Sequence, residues 1–296
     1  MSKRLFIFAS WDQDCIIDSS VTFYLGALSE LGDIIFVSDC DTCADELAKL
    51  KSIPNIIHII SGRHGEYDFG SYKRGYAYAA DNKILEKYDW IYFVNDSVYG
   101  PLRPLGPVLQ EMESKNADAV GMYHVNRHDI SAHLQTWFIG VTKRVGKEEW
   151  FAEFLQNIRA RENKSDIVIE YEFGMSGLLC RHGCEFGGLI SARENEDGFR
   201  NPALALSRGL PFVKKSRIAM SNIRNARAIR KYIPENIMMM IFRDMKRHDF
   251  GFGHYRRIIS FRLFGFIPIL DIQRHYNDKK IKVFLFKYIP ILGMNF

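Results

Sequence analysis

Short apolar runs rich in β-branched and aromatic residues, Leu5 to Ala9, Asp33 to Asp39, Ile56 to Ser61 and Trp90 to Asn95, punctuate the first third of the chain and read as strands. Between them Ser20 to Leu31, Thr42 to Leu50 and Ser71 to Tyr88 have helical spacing, the last with Tyr72, Tyr76, Ala79 and Ala80 on one face. Strand and helix in alternation predict an α/β fold, a mostly parallel sheet covered by helices. Ligands of such sheets sit beyond the carboxyl ends of the strands, so the loops after Ala9, Ser61 and Val94 are expected to converge on one cleft. Further on, Asp118 to Tyr123 and Leu134 to Val141 read as strands. Glu148 to Arg161 reads as an amphipathic helix with Trp150, Phe151, Phe154 and Leu155 as its stripe, and another helix is expected to start near Glu172.

Beyond Arg208 the pattern changes to basic helical segments. It ends in an internal repeat, Leu263-Phe-Gly-Phe-Ile-Pro-Ile-Leu270 and Leu285-Phe-Lys-Tyr-Ile-Pro-Ile-Leu292, whose two copies are too few for a solenoid. Charge divides the chain at the same place. From Ser207 onward 19 Lys and Arg stand against 5 Asp and Glu, a net of +14, while Met1 to Leu206 carries −9. The expected organisation is an acidic body over 1–206, a domain of its own, and a basic helical or tail extension over 207–296. Such an extension suits an anionic partner, a phospholipid surface or a nucleic acid.

No apolar run approaches the ~20 residues of a spanning helix. The run Leu5 to Ala9 ends at Trp11-Asp12, too short for the core of a secretory signal, so a cytoplasmic location is expected. The odd set of Cys15, Cys40, Cys43, Cys180 and Cys184 argues against a disulfide framework. Cys40-x-x-Cys43 and Cys180-x-x-x-Cys184 could be halves of a zinc site, but they lack the Gly-rich knuckle of such sites, and free thiols are the simpler reading.

Several polar strings interrupt this pattern. In Tyr67-Asp68-Phe-Gly70-Ser71-Tyr-Lys73, Gly70 permits close backbone approach, Ser71 can cap the following helix, and that N-terminus beside Lys73 suits a diphosphate; a capped helix after a turn is the plainer alternative. The strand from Trp90 ends in Asn95-Asp96-Ser97, where Asp96 could hold Mg²⁺ or Mn²⁺, bind sugar hydroxyls, or close an Asx-turn. His133, Gln135 and Trp137 fall on one face of a predicted strand and suit a sugar. His124, His128 and His133 invite a metal reading, but the stretch from Tyr123 to Ser131 reads as a loop with surface histidines. Glu172, ahead of an apolar-periodic helix, could remove the proton of an attacking hydroxyl or merely complement the helix dipole.

Taken in order, Asp68-Phe-Gly-Ser-Tyr-Lys73, Asn95-Asp-Ser-Val-Tyr-Gly-Pro101, His133-Leu-Gln135, and Asn201-Pro202 followed by Pro211-Phe-Val-Lys214 resemble the rhamnan synthesis F family, over roughly Leu5 to Ile218. The resemblance implies a GT-A-like nucleotide-sugar-binding fold, with Asp96 holding the donor diphosphate, usually through a divalent cation. The motif here is Asn-Asp-Ser where the family fold commonly has Asp-x-Asp. It implies Glu172 as the base, and contacts to donor or acceptor from Asp68, Gly70, Ser71, Lys73, Asn95, Ser97, His133, Gln135 and Lys214. It further implies a nucleoside diphosphate deoxysugar donor such as dTDP-L-rhamnose, a lipid-linked glycan acceptor, and a basic extension at the inner membrane surface, with Phe264, Phe266, Ile267, Phe284, Phe286 and Tyr288 dipping into the interface or else packing on the body. Two other readings stand beside it: a non-catalytic sugar-nucleotide-binding subunit, and a nucleic-acid-binding protein acting through its basic end, which would leave the polar strings of the body unexplained.

Overall fold

The computed structural model describes residues 2–126, 133–193, 201–219, 228–248, 255–263, 267–275, 280–285 and 289–295. They fall into two units, Met1–Val213 and Lys214–Phe296. The strands of the first are β1 (Arg4–Ser10), β2 (Asp33–Ser38), β3 (Ile56–Ser61), β4 (Trp90–Asn95), β5 (Val98–Tyr99), β6 (Ala119–Asn126), β7 (His133–Leu134), β8 (Phe138–Thr142) and β9 (Phe186–Arg193). Its helices include α1 (Ser19–Ser29), α2 (Ala44–Ala48), α3 (Tyr67–Asp81), α4 (Leu105–Glu113), α5 (Lys143–Gly146), α6 (Glu149–Gln156), α7 (Lys164–Ile167) and α8 (Gly174–Arg181).

The main sheet runs β3-β2-β1-β4-β8-β6-β7, with β9 also on β6. Strands β3, β2, β1 and β4 are mutually parallel, β8 is antiparallel to β4 and β6, and β9 is parallel to β6. This is the expected α/β class, a mixed and mostly parallel sheet flanked by helices. Both central strands are buried along their whole length, which is why they read as continuous apolar runs. Their side chains alternate between two cores. Phe6, Phe8, Phe36, Tyr92 and Val94 pack with α1 and α4, while Leu5, Ile7, Ile35, Ile91 and Phe93 pack with α3, α6 and α8. At Gly75 a Cβ would lie 2.4 Å from Ile7 Cγ2, so the absent side chain is what lets α3 lie against β1.

The expected strand Leu134 to Val141 is broken. Residues 135–137 turn between β7 and β8, and Trp137 enters the core against Phe138 and Phe212 instead of sharing a polar face with His133 and Gln135. The expected helix at Glu148 is shorter, and only Phe151 and Leu155 of its stripe are fully buried.

In the second unit, the two-residue strand β10 (Val213–Lys214) reaches its first residue, and helices Lys215–Ala219 and Glu235–Arg247 follow. Beyond them the expectation of basic helical segments is corrected. Strands β11 (Tyr255–Leu263), β12 (Ile267–His275), β13 (Lys280–Leu285) and β14 (Ile289–Asn295) form a four-stranded antiparallel sheet. The physical reason is legible in Lys280-Ile-Lys-Val, where basic and β-branched residues alternate with the strand period of two. The internal repeat is a duplicated hairpin. Leu263 pairs with Ile267 and Leu285 with Ile289, and Arg262 and Phe284 face Pro268 and Pro290 at the same register. Phe264, Phe266, Phe286 and Tyr288 lie outside the described residues, as does His128.

Candidate active site

The loops after β1 and β4 meet as expected. Ser10 Oγ donates to Asp96 Oδ2 at 2.8 Å, the Trp11 amide donates to the same oxygen at 3.1 Å, and the Asp96 amide donates to the Ala9 carbonyl at 3.2 Å. The Asx-turn at this strand end belongs to the neighbouring residue. Asn95 Oδ1 accepts from the Ser97 amide at 3.1 Å and its hydroxyl at 2.5 Å, while Asn95 Nδ2 donates to Asp68 Oδ2 at 2.6 Å. Buried Asn95 therefore closes the strand and ties β4 to the start of α3, and the half-buried carboxylate of Asp96 is not used in the turn.

Tyr72, one turn further along α3, is fully buried and donates to the Thr136 carbonyl at 3.1 Å. Burial pushes its phenol well above the usual range, and the charges of Asp68, Asp96 and Glu172, together with Tyr24, push it the same way. Thr136, whose carbonyl accepts this phenol, gives its own hydroxyl to Glu172 Oε2 at 3.0 Å and its amide to the same oxygen at 3.4 Å.

The helix carrying Glu172 does not start there, which corrects the expectation. It starts at Lys164, widens into a π-helical turn over Val168–Phe173, and runs on as α8. Glu172 is about two turns in, too far for its charge to serve the N-terminal dipole. Its carboxylate bonds Thr136, not its own helix. A π-turn re-aims the side chains it carries and is frequent at functional sites.

A second cluster lies after β2 and β3. Buried Asp39 accepts from the amides of His64 at 2.6 Å and Gly65 at 3.0 Å, and lies 3.5 Å from His64 Nδ1; His64 Nε2 is 3.0 Å from Ser71 Oγ. The order acid, imidazole, hydroxyl imitates a hydrolytic triad, but the protons run the wrong way. His64 Nδ1 accepts from the Glu66 amide at 3.1 Å, which leaves the ring proton on Nε2 to be donated to Ser71. Burial, and then Arg74, hold this imidazole below its ordinary value and neutral. Ser71 is 1% exposed. The cluster shapes the entry to α3 and performs no nucleophilic chemistry.

The same cluster corrects the expected phosphate cap. Because α3 begins at Tyr67, Ser71 sits in its second turn rather than at its N-cap. At Gly70 a Cβ would lie 2.3 Å from Glu66 Cβ and 2.7 Å from His64 Nδ1, so the close approach this glycine allows is that of His64. Lys73 donates to the Ile158 carbonyl at 2.9 Å and lies 3.7 Å from Glu66, which also pairs with Arg74.

His133 is buried with its ring edge-on to Phe173, and Gln135 accepts from the Trp137 indole at 2.9 Å. His124 is not a surface loop residue as expected; it lies in β6 against Phe186, its pKa lowered by burial and by His133. Lys214 is the first residue of the second unit. All five cysteines are free thiols, and Cys40 is turned inward to the Asp12 backbone while Cys43 is exposed, so that pair does not present a joint ligand set. The residues that pattern did not mark are Ser10, Asp39, His64, Tyr72 as a site residue, and Thr136. Ser10 ends the apolar run of β1, a signal of the kind that marked Asp96, while Thr136, behind polar Gln135, carries no such mark.

Comparison with known proteins gives the order of these strings a name. The family described as Rhamnan synthesis protein F matches residues 34–250. The chain belongs to that family. A curated relative, the uncharacterized protein y4gN of Sinorhizobium fredii, is 23% identical over 145 residues, covering 48% of this chain and 37% of its own length. The chain also shares slight likeness with solved structures. HddC from Yersinia pseudotuberculosis is 9% identical with a TM-score of 0.41, over 64% of this chain and 91% of that one. S. aureus TarS 1-349 is 11% identical with a TM-score of 0.37, over 83% and 72%. These scores are too low to bear on activity.

Proposed function

We propose that this chain is an inverting glycosyltransferase of GT-A-like organisation that moves a sugar from a nucleoside diphosphate donor to a growing surface polysaccharide. The observation that carries the reading is a hydrogen-bonded chain at the carboxyl end of β4: Asn95 holds Asp68 and gives its amide to the Trp137 carbonyl, neighbouring Thr136 donates to Glu172 and accepts from Tyr72, and Asp96 is the next residue along. In one displacement the acceptor hydroxyl gives its proton to the Glu172 carboxylate. Its oxygen forms the new bond to the anomeric carbon as the bond to the donor phosphate breaks, and the nucleoside diphosphate leaves with the electron pair. Attack opposite the leaving group inverts the centre.

Family membership supports the polysaccharide context, and rhamnose, carried as dTDP-L-rhamnose, is the donor we assign. A divalent cation suits Asp96, whose carboxylate offers oxygen ligands of the kind Mg²⁺ and Mn²⁺ prefer. Bound there, it would neutralise charge on the departing diphosphate. Asn95 and Ser97 close the strand end beside it, and His133 and Gln135 are assigned to the sugars. The acceptor in this reading is lipid-linked, and the basic second unit holds the enzyme at the inner face of the plasma membrane. Among the described residues no helix is long and apolar enough to cross a membrane.

The test is a thermal-shift panel of dTDP-, UDP-, GDP- and CMP-sugars with Mg²⁺, Mn²⁺ or EDTA on wild type and Asp96→Ala. Stabilisation by one nucleotide class, lost in the variant, is expected; a ligand at a hundred times its Kd stabilises by about 2.7 kcal/mol. No shift with any nucleotide sugar would remove the reading.

A further inference from the structure

The helix Glu235–Arg247 buries Ile237, Ile241, Asp244 and Met245 on one side. Asp244 is held there 3.8 Å from Lys215 and 3.7 Å from His248, so that side is a closed packing surface. The opposite side is unusual for a solvent face. Met239 is 52% exposed and Phe242 44% exposed, and Arg243 and Lys246 beside them are exposed as well. Positions 239, 242, 243 and 246 follow the helical period, so two large apolar and two basic side chains share one outward stripe. Glu235 and Asn236 lie at the far, N-terminal end of that stripe.

We propose that this stripe docks on an anionic phospholipid bilayer, Met239 and Phe242 entering the headgroup boundary while Arg243 and Lys246 meet lipid phosphates. Charge complementarity selects the occupant. Residues 214–296 hold 18 Lys and Arg against 5 Asp and Glu, a net of +13, and exposed Arg230 and Lys231 precede the helix. A nucleic acid would use the basic groups but give the exposed methionine and phenylalanine nothing to enter. The inference rests on the membrane part of the proposed function and not on its transferase chemistry. It places the contact on this helix instead of the aromatic repeat near the end of the chain.

The experiment is co-sedimentation of the full chain with phosphatidylcholine vesicles with and without phosphatidylglycerol. Retention on the anionic vesicles, weakened by salt, is expected. Met239→Ser/Phe242→Ser should lower the partition at least about tenfold. Arg243→Gln/Lys246→Gln should lower it about thirtyfold on anionic vesicles, from on the order of 1 kcal/mol per basic group, and leave the neutral ones unchanged. Unchanged partition in both double variants, or RNA binding that depends on Arg243 and Lys246 but not on Met239 and Phe242, would overturn the proposal. A thermal shift with nucleotide sugar, run on the same samples, keeps the two ideas apart. Vesicle binding without a nucleotide shift sinks the transferase and leaves the docking helix; the reverse does the opposite.

Discussion

The two edges of the central sheet handle buried charge in opposite ways. At the amino edge Arg4 meets Glu113 through two hydrogen bonds of 2.6 and 2.8 Å, Tyr92 donates to the same carboxylate at 2.9 Å, and both charged side chains are under a tenth exposed. Cation and anion there face each other and the network closes on itself. At the carboxyl edge Asn95 donates to Asp68, Ser10 and the Trp11 amide donate to Asp96, and the Thr136 hydroxyl and amide donate to Glu172. Hydroxyl and amide donors such as those of Thr136 orient a carboxylate without cancelling its charge, as the proposed role of Glu172 in taking a proton requires. One edge holds the fold; the other is the edge proposed to act.

The sharpest break in that contrast is Glu172→Gln, which keeps the shape and removes the base. Turnover, followed as release of nucleoside diphosphate, should fall about 10²–10⁴-fold while the thermal midpoint stays close to wild type. A midpoint that falls instead would make the carboxyl edge structural as well.

Arg4→Ala should give the mirror image. It strands a buried carboxylate and should cost about 3–5 kcal/mol of stability with unchanged activity per folded molecule, and Arg4→Met/Glu113→Leu should recover most of the loss. Denaturant unfolding of the single and double variants measures both.

Much of this contrast was legible before any coordinates. The buried strands are legible because β1 and β4 are covered on both faces, and the meeting of the loops after β1 and β4 because both strands end in polar residues, where Ser10 and the Trp11 amide bond Asp96. Ser71 looks like a cap, but its hydroxyl is taken by His64; Glu172 looks like a helix start, but its helix begins at Lys164; Trp137 looks like a sugar platform, but Phe212 draws it into the core. The first two pairs are close in sequence, and what hides them is where a helix begins, which apolar spacing marks poorly; only Trp137 and Phe212 lie too far apart for any short window to hold both. The hairpins of the second unit escape for another reason: the one alternating stretch, Lys280-Ile-Lys-Val, reads first as charge, and the other strands carry no period of two in their basic residues.

Thr136→Val tests how the carboxyl edge is aimed. Thr136 is a positioning residue here, so losing its hydroxyl should lower kcat about tenfold through the hydrogen bond to Glu172, with KM for the donor little changed. Thr136→Ser should restore the rate. Equal loss in both variants would point to packing of the threonine methyl rather than to the aim of the acid.

The smallest expected effect asks whether the His64 cluster belongs to the holding side of the contrast although it lies at the acting edge. The folded pKa of His64 lies below its unfolded value because of burial and the nearby Arg74. As pH falls through about 6.5, the unfolded chain therefore takes up a proton that the folded imidazole refuses, and stability complete at pH 7 declines. Asp39, Glu66 and Lys73 face the same ring. Glu66 is itself depressed by Arg74 against its burial, so its own loss comes only below the ordinary carboxylate range and does not overlap this window. His124 shifts in the same direction as His64 and adds to the decline. Thermal midpoints measured from pH 7.5 to about 5 should fall for wild type, fall less for His64→Gln, and least for His64→Gln/His124→Gln. If His64→Gln instead abolished turnover at pH 7 with its midpoint intact, the cluster would belong with Asp96 and Glu172.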